Sequence, residues 1–101
     1  MKPPRFSADA RREIRQALRW WKEHRDKNPK RLSKDLRRAY TLLTSAPLAV
    51  GALAPDVPPE SGIRFMYLRR SRYLLYYSVH EDHVEVLRFW QSSQDGRPFS
   101  E

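Results

Sequence analysis

The chain has 101 residues, the size of one domain, and we expect residues 1–101 to form a single unit. With 40% apolar residues and three Trp, five Tyr and four Phe it can build a packed core, which excludes wholesale disorder. Twenty Lys and Arg against twelve Asp and Glu leave a net charge of +8, so the expected counterpart is a polyanion, an acidic protein or an anionic surface. The absence of cysteine excludes disulfides, thiolate metal sites and a cysteine nucleophile.

The longest apolar run, residues 48–54, is far shorter than the roughly 20 residues a spanning helix needs. Met1-Lys2-Pro3-Pro4-Arg5 carries no apolar signal stretch. A cytoplasmic protein with no membrane partner is expected.

Charge divides the chain. Residues 1–45 hold fourteen Lys/Arg and five Asp/Glu, a net +9, and the remainder carries −1. Pro4-Arg5-Phe6 can supply a short edge strand. Ser7 is a good cap for a helix whose apolar stripe is Ala10, Ile14, Ala17, Leu18 and Trp21, with Asp9 at the positive end of its dipole. Asn28-Pro29 predicts the start of a second helix, with Asn28 as N-cap and Pro29 as first residue. Its stripe is Leu32, Leu36, Ala39, Tyr40 and Leu43, and Pro47 ends it near Ser45. So short a link predicts an antiparallel helix hairpin.

Four prolines and two glycines between residues 46 and 62 predict a long loop that awaits a partner for its order. Three strand-like runs follow at 63–68, 73–79 and 84–90, joined by four-residue polar links, which predicts an antiparallel meander. Leu74 and Tyr76 make the middle strand apolar on both faces, as a central strand requires. The expected fold is a two-layer α+β domain, in which the N-terminal helix hairpin packs on a three- to four-stranded, mainly antiparallel sheet in the order β-α-α-β-β-β.

The segment Arg72-Tyr73-Leu74-Leu75-Tyr76-Tyr77-Ser78-Val79-His80-Glu81-Asp82-His83-Val84-Glu85-Val86-Leu87 resembles the signature of the RelE/ParE superfamily of bacterial toxins, in which a Y-x-L-x-Y-x-V strand, an acidic turn and a V-x-V-L strand succeed one another. Asn28-Pro29, Leu32, Leu36, Ala39, Pro47 and Gly62-Ile63-Arg64 fall at matching places, so the likeness runs from Phe6 to Phe99. It implies the toxin of a type II toxin–antitoxin system, growth-inhibiting, cofactor-free, and silenced by a cognate antitoxin in a hetero-oligomer. RelE-like members cleave mRNA on the ribosome without a metal, through basic residues and a tyrosine near the C-terminus. ParE-like members share the fold, act on DNA gyrase and lack that catalytic set.

Arg64, Arg69, Arg70, Arg72 and Arg88, with Trp90, are the candidate target-binding residues. The catalytic residues are unassigned, and Arg64, Arg72 and Arg88 are the candidates. Arginine stays protonated, so charge stabilisation is the role open to it rather than general base catalysis. Against a phosphate role stands a plain one for Arg69, Arg70 and Arg72, the solvation of a turn. Trp90 can stack on a base or plug the end of the core. Where RelE-like toxins carry basic residues and then tyrosine, this chain reads Gln91-Ser92-Ser93-Gln94-Asp95-Gly96-Arg97-Pro98-Phe99, and no lysine follows Lys34. That departure favours a gyrase-directed toxin, with the ribosome-dependent endoribonuclease as the alternative.

For the antitoxin, the candidate contacts are Arg12, Arg15, Arg19 and Trp20 on the first helix and Leu48, Val50 and Leu53 in the loop, where apolar surface wants cover. His80 and His83 flank a turn without a third ligand, so no metal is expected. A third reading takes the basic helix hairpin as a DNA-binding module, with steep salt dependence.

Overall fold

The structure, a computed structural model, describes residues 3–24, 28, 30–93 and 98–99. Strand β1 (Arg5–Phe6) leads into helix α1 (Ala8–His24), and helix α2 (Arg31–Ser45) follows. Strand β2 (Ala52–Leu53), a 3₁₀ turn (Pro59–Ser61) and strands β3 (Arg64–Leu68), β4 (Tyr73–Val79) and β5 (Val84–Gln91) complete the order. The sheet has five strands, ordered β1-β5-β4-β3-β2, with every pairing antiparallel except β1 with β5. The α+β layering is as expected. The two-residue strand β2 takes the sheet beyond three or four.

Ser7 explains how β1 turns into α1. Its Oγ accepts from the Ala10 amide at 3.0 Å, capping the helix, and donates to the Leu87 carbonyl at 2.7 Å, while its amide donates to Val86. Ala10, Ala17 and Trp21 are buried along one stripe of α1, and Leu32, Ala39 and Leu43 along one stripe of α2. The start of α2 differs from expectation. Lys30 is the N-cap, with no side-chain hydrogen bond, while Asn28 offers its carbonyl to the Arg31 amide at 3.2 Å. Pro29 lies outside the described residues.

Both sheet faces are apolar, which follows from the unbroken hydrophobic run of β4. On one face Leu75, Tyr77, Met66, Leu68, Val86 and Phe89 meet the helices; on the other Leu74 and Tyr76 gather Ala54, Val57, Phe65, Trp90 and Phe99. A bulge makes this arrangement possible in β5. Tyr77 pairs with Val86 and Tyr76 with Arg88, so Leu87 is passed over and the alternation flips, bringing Phe89 to the helix side.

The 46–62 segment is ordered by the chain itself, which corrects the expectation that a partner orders it. Side chains from two distant strands reach across to hold it. Tyr77 donates its hydroxyl to the Pro47 carbonyl at 2.7 Å, and Arg64 donates to the carbonyls of Gly51 at 2.7 Å and Leu48 at 3.2 Å. Gly51 is required there: a Cβ would run into the Tyr77 hydroxyl and lie 2.6 Å from the Phe65 carbonyl oxygen.

Candidate functional site

The predicted target-binding residues part into three places. Arg69, Arg70 and Arg72 form the turn between β3 and β4 and are exposed. Beside this turn the start of α2 places Lys30, Arg31 and Lys34, also exposed, and together the six cations line a concave surface of about 590 Å³ with Asn28. Periodicity does not single out the three α2 residues, which enter only within the reading of the basic helix hairpin as a DNA-binding module. Their meeting with the turn depends on how α2 lies on the sheet.

The turn is held from beneath. Asp35 of α2, buried at 8% exposure, accepts the amide and the hydroxyl of Ser71 at 2.8 and 2.7 Å. The Arg72 amide donates to Leu68 at 2.7 Å, and the Arg72 carbonyl accepts from Ser92 at 2.9 Å. Those bonds fix Arg72 at φ 64°, a left-handed conformation that costs an arginine on the order of 1 kcal/mol or more. The turn is thus a rigid platform for its three arginines.

Arg64 sits elsewhere, its guanidinium bonded to loop carbonyls. Arg88 lies on β5 against α1. Its Nε and Nη2 donate to the Glu13 carboxylate, the shortest contact being 2.6 Å, and Nη1 reaches the Pro98 carbonyl at 3.4 Å. Glu13 also accepts the Phe89 amide at 2.9 Å, at the β5 edge beyond the two-residue pairing with β1. The carboxylate, its strongest partner through hydrogen bonds, raises the Arg88 pKa above the ordinary arginine value against the opposing effect of burial. The guanidinium lies 5.4 Å from the Trp90 ring, itself half-buried on the second sheet face. Phe99 packs edge-on against Tyr76 with ring centroids 5.3 Å apart.

The candidate antitoxin residues fall on two surfaces. Arg12, Arg15, Arg19 and Trp20 are exposed along α1, where Arg12 pairs with Asp9 at 2.9 Å and Trp20 stacks on His24 at 4.6 Å. Leu48 and Leu53 are 66% and 48% exposed in the loop. Val50 is half-buried and lines a groove with Arg38, Met66, Tyr67 and Leu68. At the β4–β5 turn, His83 bonds the Asp82 carboxylate at 2.7 Å and stacks on His80 at 4.5 Å. The bond to His83 is the main cause that holds Asp82 below the usual carboxylate range. Among the described residues, no helix is long and apolar enough to cross a membrane.

A comparison with curated proteins finds no match. Among solved structures, the chain is similar to the chromosomal ParDE TA system from P. aeruginosa, at a TM-score of 0.69 and 16% identity over 90% of this chain and 96% of that one. It is also similar to the E. coli DinJ-YafQ complex, at 0.66 and 16% over 95% and 100%. HP0894 from Helicobacter pylori follows at 0.55 and 15% over 93% and 98%. These likenesses bear on the fold. The family described as "ParE toxin of type II toxin-antitoxin system, parDE" matches residues 5–96, and the chain therefore belongs to the ParE toxin family of the RelE/ParE superfamily.

Proposed function

We propose that this chain is a growth-arresting toxin that inhibits DNA gyrase without ribonuclease chemistry, and that a cognate antitoxin neutralises it in the cytoplasm. The observation that carries this reading is the second sheet face. Phe99, which stands where RelE-like relatives have tyrosine, is packed on Tyr76 in an apolar layer with Phe65, Leu74 and Trp90. Two of the three candidate catalytic arginines are tied to structural partners: Arg88 to Glu13, and Arg64 to the loop carbonyls. Of the candidate target-binding arginines, the exposed ones are Arg69, Arg70 and Arg72 of the β3–β4 turn.

The antitoxin reading draws support from the relatives, whose structures include the ParDE system and the DinJ-YafQ complex. Leu48 and Leu53 offer exposed apolar anchors, and the groove that Val50 lines beside β3 adds another among the cations Arg38, Arg69 and Arg70. Such a mixture fits an extended acidic segment with apolar side chains.

The test is inducible expression in bacteria, with mRNA integrity, plasmid supercoiling and the DNA-damage response followed after growth stops. Intact mRNA with altered supercoiling and DNA damage is expected. Codon-linked mRNA cleavage would overturn the proposal in favour of the RelE-like mechanism.

A further inference from the structure

The cradle between α2 and the β3–β4 turn has an electrostatic arrangement that works against the folded chain. Six exposed cations converge on one concavity, and among the described residues no carboxylate lines it. The start of α2 adds the positive end of a 15-residue helix dipole. Helices usually answer that end with a capping side chain or an acidic first turn. Here the N-cap is Lys30, with no side-chain cap, and the first turn holds no acid. The nearby acid, Asp35, is buried under the turn and bonded to Ser71. Mutual repulsion of this kind is relieved by a bound polyanion.

The lining identifies the polyanion. Among the described residues, no apolar side chain lines the cradle, whereas a peptide partner would want apolar anchors such as those of the neighbouring Val50 groove. Among the described residues no aromatic lines it either, so unstacked bases of a single strand would find no platform. What remains is a repeated phosphate presented on a rigid rod, matched by four arginine forks and two lysine ammoniums. We infer that the cradle of Lys30, Arg31, Lys34, Arg69, Arg70 and Arg72 grips the sugar-phosphate backbone of duplex DNA. The toxin then meets its target through the nucleic acid as well as through protein. This deepens the gyrase reading, on which it rests for the choice of DNA over other polyanions.

The purified chain, with no gyrase present, is titrated onto a labelled DNA duplex by fluorescence anisotropy over a range of salt. Three proteins are compared: wild type, a cradle variant (Lys34→Gln, Arg69→Gln, Arg70→Gln), and a variant losing the same charge elsewhere (Arg5→Gln, Arg11→Gln, Lys22→Gln). Circular dichroism checks their folding, and Arg70→Gln alone serves if the triple variant unfolds. The cradle variant should lose on the order of 100-fold in affinity at about 0.1 M salt, and its log–log salt slope should flatten by about 3, since each phosphate contact contributes about 0.9. The other variant should stay near wild type. Equal losses in both variants, a wild-type slope near zero, or tighter binding to a single strand than to the duplex would overturn the inference. Gyrase inhibition, measured separately on plasmid supercoiling, decides the target reading, so the two can fail independently.

Discussion

Truncating Glu13 should cost this fold more than removing any exposed charge. The carboxylate is 10% exposed and Arg88 is 21% exposed, so the pair is largely withdrawn from water. Glu13→Ala strands the Arg88 guanidinium and leaves the Phe89 amide, now bonded to Glu13 at 2.9 Å, without its partner. Breaking one side of a buried pair costs about 3–5 kcal/mol, of which a lost amide bond accounts for roughly 1–3. A domain of this size has about 5–15 kcal/mol of stability and loses about 4–8 °C of Tm per kcal/mol, so a loss of 3 should lower Tm by about 12–24 °C. Urea unfolding of Glu13→Leu, Arg88→Met and the pair Glu13→Leu with Arg88→Met closes the cycle, with Glu13→Ala measured beside it. The double variant should recover the ion-pair part of the loss and keep only the roughly 1–3 kcal/mol of the orphaned Phe89 amide, because two apolar groups replace a desolvated pair. The Glu13→Ala deficit should also stay flat from about pH 7 to about pH 10. Arg88 has its pKa raised in the fold, so its contribution is fully present below the unfolded value and is lost only as pH climbs through the still higher folded value. A single-variant cost under about 1 kcal/mol, or a double variant equal to the sum of the singles, would refute the reasoning.

Gly51→Ala should destabilise by about 1–3 kcal/mol, because the new methyl meets the Tyr77 hydroxyl and the Phe65 carbonyl and must break the Tyr77–Pro47 bond or displace the loop; thermal melts with matched exchange data on 47–53 check it. Asp82 should titrate below the usual carboxylate range by NMR and return toward it in His83→Ala, since the bond to His83 is the largest cause of its shift. Its pKa is depressed in the fold, so whatever stability the turn gains from this charge is present above the unfolded value of about 4 and fades as pH falls through the folded one.

The helices and the three long strands were legible because each repeats a period: Ala10, Ala17 and Trp21 at helical spacing, and the Tyr73–Val79 run with both faces apolar. β2 was not, for two residues have no period; Ala52 and Leu53 become a strand only through pairing with Phe65 and Arg64. The ordering of the 46–62 segment was hidden for the same reason, since it depends on Tyr77 and Arg64 reaching across from distant strands. The bulge at Leu87 was likewise invisible, and with it the fate of Arg88. Strict alternation cannot say that Arg88 turns to Glu13, seventy-five residues earlier in the chain.

That last point separates arginines that look alike in sequence. Arg64 and Arg88 each interrupt an apolar strand, which reads as function because a charge there must be compensated. The compensation turns out to be internal: backbone carbonyls for one, a buried carboxylate for the other. Arg69, Arg70 and Arg72 read as ordinary turn solvation, yet they sit on a turn pinned by a buried aspartate and joined by three cations from α2. A turn that merely solvates a hairpin gains nothing from being held at φ 64° beside like charges. Substitutions at Arg64 or Arg88 should therefore show themselves first as lost stability, and substitutions at Arg69 or Arg70 as lost toxicity in a protein that still folds. Growth arrest measured beside thermal melts distinguishes the two classes. A stable Arg88→Met protein without toxicity, or an unstable Arg70→Gln protein, would reverse the assignment.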